Sequence, residues 1–457
     1  MNQLKRKAIG SVSRLRPVLV AAIFACVVSV LTFTPQSFQS AAKSDSAGVS
    51  TATYEGRMAV FDDVWSTINE RYYDRSFSSL DDGLSWDKQR TVFRALAAET
   101  TSTQEFYAVL RRMVASLRDP HTRVFTPGEK FDWWRPRVIT IGISIKEIDG
   151  LPTVVRVEDG SLPDRAGIVA GDVVETVNQK PAMALVQRRL ADHVSPGVQT
   201  RSRIFGAIID GPPHTVVDLG WRRKNGQKQS AQFVRYWQER ELGLRVRKSS
   251  GFAIIEMDGF TGTTSRSLVT SLKQTLKDVR GIVLDLRGNG GGDAEAMTDV
   301  ASTFLGNGFS LGRFVDRSGR QIPLITREKS PMIPSRLTRT NLPLVILTSD
   351  RTSSAAEIFV AGLKASRRAA IIGTETCGCV LAIRNRHQLP DGGLLDVSEL
   401  DYQTASGQRL EQNGIEPDET VTVERRDLYL GSDRALDLAI RKLKSLPSGS
   451  QSFASMR

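Results

Sequence analysis

From Gly251 onward the chain alternates short apolar runs with segments of helical period. These are Phe252 to Met257, a helix near Ser265 to Leu276, Gly281 to Leu286, a helix from Asp293, Leu344 to Leu347, a helix from Ser354, and Ala369 to Ile372. Runs this apolar have no polar face to offer water, so each strand has to be covered on both sides. The pattern predicts an α/β layer structure with a largely buried sheet, with chemistry placed in the loops that follow the strands. Upstream the period changes. Val138 to Ile145, Thr153 to Val157, Val173 to Val177, Thr215 to Leu219 and Gln232 to Tyr236 are short runs between turn residues, which predicts a small, mostly β region. Before the Trp133-Trp134-Arg135-Pro136 break, Met58, Phe61, Val64, Trp65 and Ile68 recur at helical spacing. So do Phe106, Leu110, Met113, Val114 and Leu117, after a capping-box signature at Ser102 and Glu105. Asp433 to Leu443 reads as a terminal helix and Ser448 to Arg457 as a frayed tail.

The formal charge is +12, but Lys5, Arg6, Lys7, Arg14 and Arg16 precede any acid, and without them it is +7. A charge that modest, with no basic and aromatic run, excludes a nucleic-acid surface. The apolar, uncharged Val18 to Phe33 follows the basic stretch, and Ser40-Ala41-Ala42 comes next. That is the layout of a secretory signal peptide cut near Ala42, or of an uncleaved anchor, so the chain is expected outside the cytoplasm, with membrane contact only through this segment. Apart from Cys26 the only cysteines are Cys377 and Cys379, too few for a disulfide framework or a zinc site. A disulfide over so short a loop would be strained, so packing is the expected role of the pair. No cofactor or metal is expected.

Three segments have the residues for chemistry. Asp285-Leu286-Arg287-Gly288-Asn289-Gly290-Gly291-Gly292 ends a strand before a helix, where amides can turn toward an anion or an oxyanion; it also reads as a plain tight turn. Ser354-Ala355-Ala356-Glu357 opens a helix. It reads either as a capping box or as a nucleophilic Ser beside an oxyanion-binding amide. His121, one of four histidines, follows a helical stripe and is either a base or a helix-end packing residue.

Taken together these segments resemble the carboxyl-terminal processing peptidases, the S41 serine proteases, in order and spacing from about residue 55 to 430. The resemblance rests on Leu117-Arg118-Asp119-Pro120-His121-Thr122-Arg123, Ala166-Gly167-Ile168-Val169-Ala170-Gly171-Asp172-Val173-Val174, Asp285 to Gly292, Ser354-Ala355-Ala356-Glu357-Ile358 and Gly414-Ile415-Glu416-Pro417-Asp418. It implies a multi-domain α/β protein: signal peptide or anchor 1–42, linker 43–53, helical N-terminal region 54–137, PDZ-like domain 138–236, peptidase core 237–430, and C-terminal helix and tail 431–457. It makes Ser354 the nucleophile. The processing branch has a Lys base in a Thr-x-Gly-Lys-Gly segment, and here that segment reads Thr376-Cys377-Gly378-Cys379-Val380. A second branch, similar to the tricorn core protease, uses a His at the position of His121 and a Glu at that of Glu411.

The resemblance therefore implies Ser354 as nucleophile, His121 as base, Glu411 orienting it, and an oxyanion held by the amides of Ala355 and of Gly290 or Gly291. An ordinary imidazole, titrating near pH 6.5, is a competent base at neutral pH. The PDZ-like region would bind C-terminal segments by strand addition at Gly142-Ile143-Ser144-Ile145. The expected partners are unfolded or C-terminally exposed proteins and peptides. The competing expectation is an inactive family member, with its Lys lost, that serves as an exported peptide-binding or adaptor protein.

Overall fold

A computed structural model describes residues 49–446 apart from 79, 81–84, 130–136, 192–197, 241, 275–277, 334, 335 and 338. The leader 1–42, the Trp133–Pro136 break, His193 and the tail from Ser448 lie outside the described residues.

The alternating segment forms a six-stranded sheet in the order Leu244–Ser249, Phe252–Met257, Ile282–Asp285, Leu344–Thr348, Ala369–Gly373 and Glu419–Thr420. The first pair is antiparallel and the others are parallel, with Val283 beside Val345 and Leu284 beside Ile346. Successive side chains point to opposite faces. Ala253, Ile255, Ile282, Leu284, Leu344, Ile346 and Ile371 meet Leu268, Val300, Phe304 and Phe359 of helices Gly262–Gln274, Ala294–Leu305 and Ala355–Ala365. Phe252, Ile254, Val283, Val345, Leu347, Ala370 and Ile372 meet Ala435, Ala439 and Leu443 of helix Arg434–Ser445. Both faces are covered, as the unbroken apolar runs require. The helix expected near Ser265 starts earlier, because Thr261 and Thr264 exchange amide-to-hydroxyl hydrogen bonds at its entry.

The region upstream is a sheet in the order Ile143–Ile148, Leu151–Val157, Val173–Val177, Val216–Arg222 and Lys228–Val234, closed by its own apolar core. The expected run Val138 to Ile145 is two strands. Gly142, at φ +95°, turns the chain between Arg137–Thr140, which pairs with Tyr236–Glu239, and Ile143–Ile148. The N-terminal helices Tyr54–Arg71, Trp86–Glu99 and Thr103–Ala115 share a third core, and the Ser102 hydroxyl caps the last of them as expected.

A second large sheet was not foreseen. Strand Leu394–Gln403 is flanked along one edge by Ala382–Gln388, and its other edge is shared between Arg123–Phe125 and Ser310–Asp316, which pairs in turn with Gln321–Ile325. Leu395 and Val397 pack into the N-terminal helical core, and Leu400 and Tyr402 into the core of the parallel sheet. One strand thus joins the two cores.

Candidate active site

Ser354 sits between strand Leu344–Thr348 and helix Ala355–Ala365, at φ +56° and ψ −127°. A side chain at positive φ costs of order 1–3 kcal/mol, and such residues gather at functional turns. The turn is pinned to the glycine loop: Ser353 N–H donates to Asn289 O (3.1 Å), Thr352 Oγ1 to Leu286 O (2.8 Å) and Ser349 Oγ to Arg287 O (2.7 Å). Gly291, at φ +95°, lets the two loops touch, since a Cβ there would lie 2.6 Å from Ser354 Cβ and 3.0 Å from Ala355 N. Of the two readings of Ser354, the capping box is present: Glu357 Oε2 accepts the Ser354 N–H (3.1 Å) and the Ser354 side chain faces the Glu357 amide.

The oxyanion expectation narrows. Gly291 N–H is committed to Asn289 Oδ1 (2.9 Å), whereas Gly290 and Ala355 N–H have no protein acceptor among the described residues. Asn289 is fully buried and also donates to Met257 O (3.0 Å), so it shapes the loop from within. Below the loop Arg287 grips Asp285 and Asp433, tying the glycine turn to the C-terminal helix.

Glu357 is buried and joins the nucleophile turn to loop 376–381. Its carboxylate accepts from Thr376 Oγ1 (2.6 Å), Gly378 N (2.7 Å), Cys379 N (2.9 Å) and Ser354 N. Burial pushes it above the ordinary carboxylate range despite these bonds. Ser354 N–H also donates to Cys379 O (2.8 Å). A disulfide joins Cys377 to Cys379, which corrects the expectation of a packing role for the pair. Gly378, at φ +68°, folds the chain back so that the two Cα atoms stand 5.2 Å apart, inside the usual range for a bridge. Cys379 therefore offers no thiol to act as a base.

His121 lies just before strand Arg123–Phe125, and its neighbour Thr122 accepts the Ser398 N–H (3.0 Å) in the gap between the two strands sharing that edge. Thr122 Oγ1 donates to Asp119 Oδ2 (2.5 Å) and His121 N–H to Asp119 Oδ1 (2.8 Å). The imidazole Nδ1 stands 3.7 Å from Asp119 Oδ1, at ion-pair distance, with no hydrogen-bond partner. Burial pushes Asp119 up, but bonds and charge from His121, then Ser398 and Thr122, outweigh it and hold it below its ordinary value. Asp119 was missed, although it stands two residues from the His that was singled out.

Glu411 Oε2 accepts from Val380 N (2.8 Å) and Leu381 N (3.2 Å). Burial pushes it up to about 8, with the nearby Asp119 charge adding to the shift. No hydrogen bond or ion pair joins Glu411 to His121, or His121 to Ser354, among the described residues; the acid against the imidazole is Asp119. The remaining described histidines lie elsewhere, His214 in a turn and His387 beside Glu399 (3.3 Å).

Gly142, Ile143, Ser144 and Ile145 begin the edge strand of the small sheet, with Leu151–Val157 on one side and helix Val198–Gly206 packed against it. Gly142 N–H is taken by Thr140 Oγ1 (2.9 Å). Lys146 Nζ, on the same strand, pairs with Asp350 Oδ1 (2.6 Å), and Ser202 Oγ of the helix donates to Asp350 Oδ2. The small sheet and its helix thereby grip the loop that leads to Ser354.

Residues 251–421 match the sequence model of Peptidase family S41, and residues 54–115 that of the Tricorn protease C1 domain. Carboxyl-terminal-processing peptidase 2, chloroplastic, from Arabidopsis thaliana is 29% identical over 372 residues, spanning 79% of this chain and 68% of its own length. Among solved structures, the photosystem II D1 C-terminal processing protease superposes with a TM-score of 0.52 at 23% identity, covering 86% of this chain and 99% of its own. Mature CPAF superposes at 0.65 and 12% identity, covering 86% and 99%. These chains share the fold.

Proposed function

We propose that this chain, which matches peptidase family S41 over residues 251–421, is a serine protease that cleaves protein or peptide substrates through a Ser354 acyl-enzyme with His121 as the base. The observation that carries the reading is the nucleophile turn: a strained Ser at a helix N-terminus, against a glycine loop with a spare amide among the described residues. His121 takes the hydroxyl proton as Ser354 Oγ attacks the scissile carbonyl. The Ala355 and Gly290 amides receive the oxyanion, where donors in place before reaction are worth most. The imidazolium then protonates the leaving amine, and water, deprotonated by the same His, releases the acyl group. Catalytic hydrogen bonds are often made only once substrate is bound. Asp119 orients and stabilises the imidazolium, and Glu411 braces loop 376–381 beside it.

Substrate C-termini would add to the edge at Ile143–Ile148. The leader pattern and a disulfide in so short a loop both fit a place outside the cytoplasm. The test is incubation of the purified protein with unfolded casein across pH 5–9, beside Ser354→Ala and His121→Ala, with fragments read by mass spectrometry. Cleavage lost in both variants supports the reading. The second reading, an inactive peptide-binding protein, draws on the disulfide standing where the processing branch has its Lys. It predicts no cleavage at any pH together with intact binding of C-terminal peptides.

A further inference from the structure

We propose that the Cys377–Cys379 disulfide is a positioning element of the active site, holding the loop that fixes Ser354 when oxidised and releasing it when reduced. The inference rests on the peptidase reading above. Loop 376–381 has no regular secondary structure, yet it supports three parts of the site at once. Cys379 O accepts the Ser354 N–H, the Gly378 and Cys379 amides hold Glu357, and the Val380 and Leu381 amides hold Glu411. Its other backbone bonds run from Thr376 N–H to Ile415 O (3.2 Å), from Cys377 N–H to Thr352 O (3.0 Å) and from Gln412 N–H to Gly378 O (2.8 Å). Gly378 is packed on backbone, since a Cβ there would lie 2.9 Å from Gly414 N.

Such a loop has no ladder to resist rearrangement, and the amides of Gly378 and Cys379 point at Glu357 only while Gly378 keeps its left-handed turn. The disulfide spans that turn and removes the extended conformers in which the two side chains diverge. Ser354 tolerates no drift, because its amide is held at Cys379 O and its Cβ lies against Gly291. Cys379 is buried and Cys377 half-buried, so a reductant reaches the bridge through Cys377. The thiolate of a dithiol attacks Cys377 Sγ and expels Cys379 as a thiolate that takes up a proton. The second thiol then displaces Cys377, leaving two protein thiols and one oxidised dithiol.

The experiment uses the full-length protein as purified, after dithiothreitol, and after reoxidation, with the state of each cysteine read by alkylation and mass spectrometry. The expected result is a fall of about 100-fold in kcat on reduction, KM changing less than about twofold, as for a nucleophile displaced by about 1 Å. Reoxidation restores the rate. Cys377→Ala and Cys379→Ala start near the reduced rate and ignore the reductant. Hydrogen exchange is the arm independent of activity: amides of 376–381 exchange faster on reduction while strands Ile282–Asp285 and Leu344–Thr348 do not change. Equal kcat in both states with the pair demonstrably reduced, unchanged exchange in the loop, or free thiols in the protein purified in air would each overturn the proposal. If no state cleaves and Ser354 takes no fluorophosphonate label, the peptidase reading fails, and the exchange arm alone then decides whether the brace exists.

Discussion

The two sheets that meet at the site are held together by different forces. In the parallel sheet Val283, Leu284, Val345, Ile346, Leu347, Ile371 and Ile372 are all buried, and the strands deliver the glycine loop and Ser354 from their carboxyl ends. In the antiparallel sheet the central strand Leu394–Gln403 is just as buried, but Asp396, Ser398, Glu399 and Asp401 alternate with its apolar residues. Arg386 grips Asp396, His387 faces Glu399, and Arg409 pairs with Asp401. One sheet is held by apolar burial and carries the nucleophile. The other adds side-chain ion pairs and hydrogen bonds to its apolar contacts and carries His121 with the loop behind Ser354. Neighbouring ionisable groups are what a proton-transfer site needs, and the antiparallel sheet is where they gather around His121.

The largest effect belongs to the point where the sheets meet. Ser354→Ala and His121→Ala should each lower kcat by about 10⁴-fold, with unfolding by urea unchanged within about 1 kcal/mol, and a residual rate common to both and to the double variant. Additive losses would mean that the two residues do not act as a unit.

Next come the sheets themselves. Leu347→Ala in the parallel sheet should cost about 3 kcal/mol as a cavity, and no second polar change should recover it. Arg386→Met should cost about 3 kcal/mol by leaving buried Asp396 without its bidentate partner, and Asp396→Leu added to it should recover most of the loss. Urea unfolding of the four proteins checks this. Failure of the double change to recover stability would mean that the strand depends on charge for more than pairing.

Which acid serves His121 separates the two sides more finely. Asp119→Asn should lower kcat by about 100-fold, because the imidazolium loses the charge beside Nδ1, while Glu411→Gln should cost less than about tenfold. Steady-state kinetics decide, and the reverse ranking would return the orienting role to Glu411.

The same contrast marks what the sequence could reveal. Unbroken apolar runs named every strand of the parallel sheet from Phe252 to Ile372, and Asp293 and Ser354 announced the helices that follow. The strand Leu394–Gln403 gives no such signal, because its Asp, Glu and Ser read as a solvated face and their partners on other strands cannot be seen from one chain. Asp119 was hidden for the same reason: a carboxylate after a helix is usually exposed, and its burial depends on Thr122 reaching Ser398 far along the chain. Gly291 looked like an oxyanion donor until Asn289 was seen to take its amide. The disulfide escaped because spacing describes an extended chain, and Gly378 does not leave it extended.

The smallest effect is also the one whose sign is least intuitive. Glu411 is held near 8 by burial, with the Asp119 charge adding to it, so the folded protein keeps a proton there that the unfolded chain gives up at its ordinary value near 4.3. Across that window the unfolded chain binds fewer protons, and stability must fall as pH rises until the folded group has ionised. Asp119 works in the opposite direction: held below its ordinary value, it stabilises the fold above about pH 4 and loses that contribution as the pH drops through its folded value. Glu411→Gln keeps an oxygen for the Val380 and Leu381 amides but cannot ionise. The wild type should therefore lose about 2 kcal/mol relative to this variant between pH 5 and pH 9, after relaxation around the buried charge is allowed for. Urea unfolding of both proteins at the two pH values measures the difference. Parallel pH curves would mean that Glu411 is already ionised in the fold, and the charge-bearing half of the site would then hold two like charges where the geometry accommodates one.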